Sequence, residues 1–147
     1  MKKTILLAAL MLGGIYGWAQ NTDVLLRSYL VVKNAMVNSD GKSATSAVNA
    51  FYEVLKNDAS FAQKEALLKA TEKLKSAPTL DKKRAVFNEV SATLWQLVKV
   101  NTKSKQTVYY QYCPMKKAYW VSTEKEIRNP YYGESMLECG KVVETKK

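Results

Sequence analysis

Residues 21–41 read NTDVLLRSYLVVKNAMVNSDG, and this stretch sets the pattern for most of the chain. Leu25, Tyr29, Val32 and Met36 recur at spacings of four, three and four. That rhythm puts all of them on one face of a helix that turns every ~3.6 residues. Asn21, Thr22 and Asp23 are helix-capping types placed before the first apolar residue. Asn38-Ser39-Asp40-Gly41 is a turn cluster placed after the last one. The stretch predicts one amphipathic helix closed by a tight turn.

Three further segments repeat the pattern. The second carries Ala44, Ala47, Val48, Phe51 and Leu55 and breaks near Asn57-Asp58. The third opens with Ser60 and Gln63 at capping-box spacing, where each side chain can satisfy the other's free backbone N–H. Its stripe is Phe61, Leu67, Leu68 and Leu74, with Pro78 beyond its end. A fourth helix is expected to start near Thr79 or Asp81 and run towards Lys99, burying Phe87, Val90, Leu94 and Leu97 with Trp95 at the flank. Short connections between consecutive helices favour antiparallel neighbours. The fold class expected is therefore mainly α: an antiparallel four-helix bundle followed by a short irregular or β C-terminal tail.

That tail, about residues 104–147, has a different character. Thr107 to Cys113 alternates, with Val108, Tyr110 and Tyr112 on one side, which suits a short strand. Ala118 to Ser122 is a second β-like run, and Val142-Val143 a last extended piece. Asn129-Pro130-Tyr131-Tyr132-Gly133 is turn material, since proline bars a helix from passing through. Tyr109, Tyr110, Tyr112, Tyr119, Tyr131 and Tyr132 crowd into this part of the chain.

The amino terminus carries a different signal. Lys2 and Lys3 precede an apolar run from Ile5 to Leu12, and Gly17-Trp18-Ala19 places small residues around a cut after Ala19. Positive start, short apolar core and small-residue exit are the parts of a cleavable secretory signal. The run is shorter than the ~20 residues a spanning helix needs. Residues 1–19 thus read as a signal peptide and 20–147 as a single domain, periplasmic or otherwise exported, without membrane insertion after cleavage. The formal charge of +10 drops to +8 once Lys2 and Lys3 are removed. Export and the even spread of the lysines argue for a solvated basic surface and against nucleic-acid binding.

Composition removes several chemistries. The chain has no histidine, so Ser-His and Cys-His nucleophilic pairs are excluded. Histidine-containing zinc sites go with them, and two cysteines are too few for an all-cysteine site. No glycine-rich phosphate loop is present, and no carboxylate pair stands out from the surface charges. The chain does not read as an enzyme.

What remains is sulfur. Cys113-Pro114-Met115 and Met136-Leu137-Glu138-Cys139 each hold a thiol and a thioether close in sequence. Such soft ligands favour Cu(I) and similar ions over magnesium or calcium, and the face of Trp120 or a tyrosine can add cation–π attraction. The other reading is a Cys113–Cys139 disulfide, the ordinary outcome for two cysteines in an exported protein. Closing a loop of about 25 residues would then stabilise the fold by roughly 3–4 kcal/mol in the chain-entropy model, and the methionines would be gap-filling core residues.

The tail strings also carry a resemblance. Tyr112-Cys113-Pro114-Met115, Ala118-Tyr119-Trp120-Val121-Ser122, Ile127-Arg128-Asn129-Pro130-Tyr131-Tyr132-Gly133 and Met136-Leu137-Glu138-Cys139-Gly140 resemble an uncharacterised bacterial domain family. In the helical part Tyr29, Val32, Lys33, Ala35 and the Asn38-Ser39-Asp40 turn fit its opening, and Asp81, Arg84, Phe87, Ser91 and Leu94 fit its last helix. That family of unknown function occurs as small exported proteins. It also occurs fused to periplasmic adaptor subunits of copper and silver efflux pumps, or beside heavy-metal-associated domains. The resemblance implies a periplasmic accessory protein that binds Cu(I) or Ag(I) for heavy-metal efflux or tolerance, with an efflux component as partner. Its ligand positions would be Cys113, Met115, Met136 and Cys139, with Trp120 as aromatic neighbour. This chain departs from the pattern: only Lys116 and Lys117 separate Met115 from Ala118 where other members have a longer insert, and many members carry a helical histidine. The alternative expectation is a non-metal envelope interaction module with a structural Cys113–Cys139 disulfide.

Overall fold

The computed structural model describes residues 18–58 and 61–147, so most of the expected signal peptide lies outside the described residues. Four helices, α1 (Trp18–Val37), α2 (Gly41–Asn57), α3 (Lys64–Ser76) and α4 (Leu80–Lys99), precede strands β1 (Val108–Cys113), β2 (Ala118–Ser122) and β3 (Lys141–Lys146). A short 3₁₀ turn, Gly133–Met136, lies between β2 and β3. The fold is mainly α, and the tail is more ordered than an irregular extension: it forms one antiparallel sheet in the order β2-β1-β3. Each helix packs on its chain neighbour, and α4 returns to touch α1. Among the described residues no helix is long and apolar enough to cross a membrane.

Helix boundaries follow local chemistry. Ser39 takes a left-handed φ of 54°, and Asp40 then caps α2 by accepting the Ser43 N–H at 2.9 Å. Thr79 caps α4 through the Lys82 N–H at 3.3 Å. α1 begins before the expected cap, since nothing from Ala19 to Asp23 breaks a helix. The expected capping box does not open α3. Gln63 sits at the N-cap itself without a side-chain capping bond, and Ser60 lies outside the described residues.

The predicted apolar faces of α1 and α2 are buried in full. On α4, Trp95 and Val98 are buried while Leu97 is only partly so, because this helix packs on the sheet as well as on other helices. Trp95 stacks on Tyr110 with ring centroids 4.9 Å apart, and Tyr110 stacks on Tyr119 at 4.8 Å. Likewise Phe61 and Leu68 of the third stripe are only partly buried, and Ala70 and Thr71 take core positions beside Leu67 and Leu74.

Two lysines depart from the expected solvated surface. Lys33 and Lys83 are each only 2% exposed. The Lys83 ammonium donates to the carbonyls of Leu74 at 3.2 Å and Ala77 at 2.7 Å, satisfying the end of α3 where free carbonyls and the helix dipole both favour a cation.

Candidate functional site

Strands β1 and β2 carry buried residues on both faces while β3 is largely exposed, which is why β1 does not show the simple alternation expected of it. Val108 and Tyr110 are buried, but so are Gln111 and Cys113, while Tyr112 is only partly covered. The Gln111 amide donates to the carbonyls of Glu124, Lys125 and Glu126 at 3.1–3.3 Å. This folds the chain after β2 back over the face that holds Gln111, Trp120 and Cys113. The register pairs Gln111 with Trp120 and Cys113 with Ala118, so these residues share that face.

The outer edge of β2 is tied to the helices. The Tyr119 N–H donates to Asn88 Oδ1 at 2.7 Å, and the Val121 N–H donates to Tyr29 Oη at 3.1 Å. The Tyr131 hydroxyl donates to the Tyr119 carbonyl. An edge strand with free backbone groups invites pairing with other chains; here side chains from α1, α4 and the Asn129–Gly133 turn occupy them. Asn88 and Gln111 were not singled out in the sequence. Their only signal was an amide beside an apolar stripe or in a strand.

The Asn129-Pro130-Tyr131-Tyr132-Gly133 stretch is a brace. The buried Asn129 side chain accepts the Tyr131 N–H at 2.8 Å and donates to the Cys139 carbonyl at 2.7 Å, while its backbone N–H donates to the Leu137 carbonyl at 2.7 Å. Arg84 reaches from α4 to the Pro130 carbonyl at 2.8 Å and the Met36 carbonyl at 2.7 Å. Gly133 has φ +57°, and a Cβ there would lie 2.4 Å from Ser39 Oγ. Only glycine lets this turn seat against the end of α1.

The brace holds Cys139 beside the end of β1. Cys113 and Cys139 are free thiols with their sulfurs 3.8 Å apart, Cys113 buried and Cys139 half-buried. The Cys139 thiol is pushed above its ordinary pKa, first by burial, then by the hydrogen bond and charge of Cys113. Both conditions favour the protonated thiol, so a metal must displace protons to bind.

The other predicted ligands are placed less tightly. Met115 sits on the β1–β2 turn and is 60% exposed. Met136 is half-buried at the end of the 3₁₀ turn, and its carbonyl accepts the Cys139 N–H at 3.1 Å. Trp120 is buried against Tyr131, ring edge to face at 6.2 Å. Of the two lysines in the β1–β2 turn, Lys116 lies over the Tyr132 ring at 4.8 Å. Among the described residues no group of three or more His, Cys, Asp and Glu side chains converges on a metal position.

Bond lengths set what the pair can hold. With metal–sulfur bonds of about 2.3 Å, sulfurs 3.8 Å apart subtend about 110° at the ion. That angle suits trigonal or tetrahedral coordination and requires at least one further ligand. A linear two-sulfur site would need the cysteines to part.

A sequence profile described as "Protein of unknown function (DUF3347)" matches residues 25–106, more than half of the chain. The chain belongs to the DUF3347 family. The DUF3347 match starts at Leu25 in α1 and ends just before β1, so it contains most of α1, the other three helices and the loop after α4. The sulfur residues and the brace lie beyond the matched segment, although Arg84, which bonds to the brace, and Tyr29 and Asn88, which tie β2 to the helices, lie within it. No curated protein and no solved structure matches the chain.

Proposed function

We propose that the mature protein is an exported accessory protein that captures a soft ion, Cu(I) or Ag(I), at Cys113 and Cys139. A single observation carries this reading: two unbonded thiols 3.8 Å apart, one of them half-buried, at the angle a three- or four-coordinate ion needs. In this reading Met136, whose carbonyl accepts the Cys139 N–H, supplies the third sulfur, and the exposed Met115 offers a first contact for an arriving ion. Thiolate and thioether donors select such ions over hard cations. The helices, each packed on its neighbour, act as an antiparallel bundle that keeps the sheet rigid. The resemblance of the tail to domains fused to copper and silver efflux adaptors points to an efflux component as the partner that receives or senses the ion. No catalytic role is part of this reading.

Titrating the reduced protein with Cu(I) against a competing chelator tests it. Uptake of one ion per chain is expected, lost in Cys113→Ser and Cys139→Ser and weakened in Met136→Leu, with circular dichroism confirming that each variant is folded. A folded, fully reduced protein that takes up no Cu(I) or Ag(I) overturns the reading. The second reading, an envelope interaction module stapled by a Cys113–Cys139 disulfide, is favoured by the same sulfur contact in an oxidising compartment. Mature protein that shows no free thiols and resists mild reduction would establish it.

A further inference from the structure

The same two sulfurs serve two chemistries that exclude each other. We propose that Cys113 and Cys139 form a reversible dithiol–disulfide switch that gates the soft-ion site, loading being allowed only in the dithiol state. This inference rests on the metal reading above, and adds that the oxidised pair is a normal, reversible state of the folded protein.

Three features of the structure support it. The first is distance. The sulfurs stand 3.8 Å apart and must approach to about 2.05 Å to bond, a closure within the reach of side-chain rotation. The second is that the backbone on both sides is held. Cys113 ends β1 in register with Ala118, and the Cys139 carbonyl and N–H are bonded to Asn129 and Met136. Gly140, next in sequence, has φ +155°, and a Cβ on it would lie 2.7 Å from Trp120 and 3.0 Å from the Tyr112 carbonyl. The chain therefore sits close against the sheet, and the switch as proposed closes on this same backbone. The third is asymmetry: Cys139 is half-buried and Cys113 buried, so an incoming disulfide meets Cys139 first and leaves Cys113 to resolve.

The step balances with a partner disulfide as oxidant. The Cys139 thiolate attacks one sulfur of the partner, whose S–S bond breaks and releases a partner thiolate. The Cys113 thiolate then attacks Cys139 Sγ in the mixed disulfide and releases the second partner thiolate. Two protein thiols are oxidised, one partner disulfide is reduced to two thiols, and the protons lost by the cysteines pass to the released thiolates. The disulfide has no thiolate left to offer, so the ion loses both strong ligands at once. Reduction by a dithiol reverses the sequence.

The test uses the full mature chain. It is equilibrated in glutathione buffers of graded ratio, and the oxidised fraction is read by mass spectrometry after thiol trapping. Both forms are then titrated with Ag(I), with circular dichroism on each. The proposal expects a reversible transition within the glutathione range, unchanged secondary structure, and Ag(I) affinity in the oxidised form lower by more than the ~10–100-fold that disturbing an outer-shell partner costs. A disulfide that forms only in denaturant, or that no glutathione ratio reduces, overturns the switch. Equal uptake by both forms overturns the gate and leaves the metal reading standing. Reversible cycling with no uptake in either form removes the metal reading, and the gate with it. A Cys139→Ser variant must lose the intramolecular transition and show at most a glutathione adduct on Cys113; a wild-type transition whose oxidised mass also carries only such an adduct overturns the proposal.

Discussion

Replacing Tyr29 with phenylalanine removes one oxygen from the junction between the helices and the sheet and leaves the ring in place. Tyr29 is fully buried and stacks on Phe87 at 5.2 Å with an edge contact to Phe51 at 6.3 Å, so Tyr29→Phe keeps the packing. Its hydroxyl belongs to a chain of hydrogen bonds. The Ser91 hydroxyl donates to the Phe87 carbonyl at 3.1 Å, which leaves Tyr29 to donate to Ser91 Oγ at 2.7 Å and to accept the Val121 N–H at 3.1 Å. Without the hydroxyl, Ser91 keeps its bond to Phe87 but the Val121 N–H on the β2 edge has no acceptor. A buried donor left unmade costs about 1–3 kcal/mol. We expect a loss of about 2 kcal/mol, or a urea midpoint lower by about 1 M at an m of about 2 kcal/mol/M, with m unchanged. Hydrogen exchange should show faster exchange at Val121. A loss below about 0.5 kcal/mol, the range of inconsequential surface substitutions, would refute the reasoning. So would a Tyr29→Phe/Ser91→Ala cycle with no coupling energy, since side chains sharing one hydrogen bond must couple.

Two further outcomes follow from the same structure. Lys83→Met keeps the stem but removes the ammonium that bonds the carbonyls of Leu74 and Ala77, and chemical denaturation should show a loss of about 1–2 kcal/mol; a Met variant as stable as the parent would sink the capping role. Alkaline pH should destabilise the fold through its buried tyrosines. Burial, with Tyr119 and Glu144 adding to it, pushes Tyr110 up to about 12, and burial raises Tyr29 and Tyr131 well above the usual value. The unfolded chain ionises its tyrosines near pH ~10, so above that point the folded state binds more protons. Stability present below pH ~10 is therefore lost as the pH rises through the folded values. Lys33 and Lys83, held below the ordinary lysine value by burial, act in the opposite sense only below about pH 10.4, the ordinary lysine value, so the loss is read above it. Tyrosinate absorbance should lag behind free tyrosine until unfolding, and full ionisation of every tyrosine in a folded protein would contradict the burial argument.

The helices were legible because their evidence is local. Leu25, Tyr29, Val32 and Met36 in α1 declare a buried face by spacing alone, and Thr79 marks a helix start by the oxygen it offers a free N–H, whereas Asp40 reads only as part of a turn and its capping of α2 comes from the structure. The strands were legible for the same reason, as alternating or β-branched and aromatic runs ended by turn residues. Cys113, Met115, Met136 and Cys139 stood out by chemistry: they are soft donors in a chain without histidine.

Only the tertiary structure decided which of those sulfurs meet. Cys113 and Cys139 are 26 positions apart, and their 3.8 Å approach depends on β3 pairing with β1 and on Asn129 holding the Cys139 carbonyl. Spacing along a chain carries no record of such pairings, which are set by the summed packing of distant segments. The same holds for Lys83, one lysine among many in sequence, whose burial follows from where α3 happens to end against α4. It holds for Tyr29 as well. Periodicity placed that ring in the core, but its hydroxyl's partners are Ser91, 62 residues away, and a backbone N–H 92 residues away. The sequence by itself determined four helices, a β-prone tail and a set of candidate sulfur ligands. The fold decided that the tail closes on the helices through buried polar groups, and that two thiols come close enough to share either an ion or a bond.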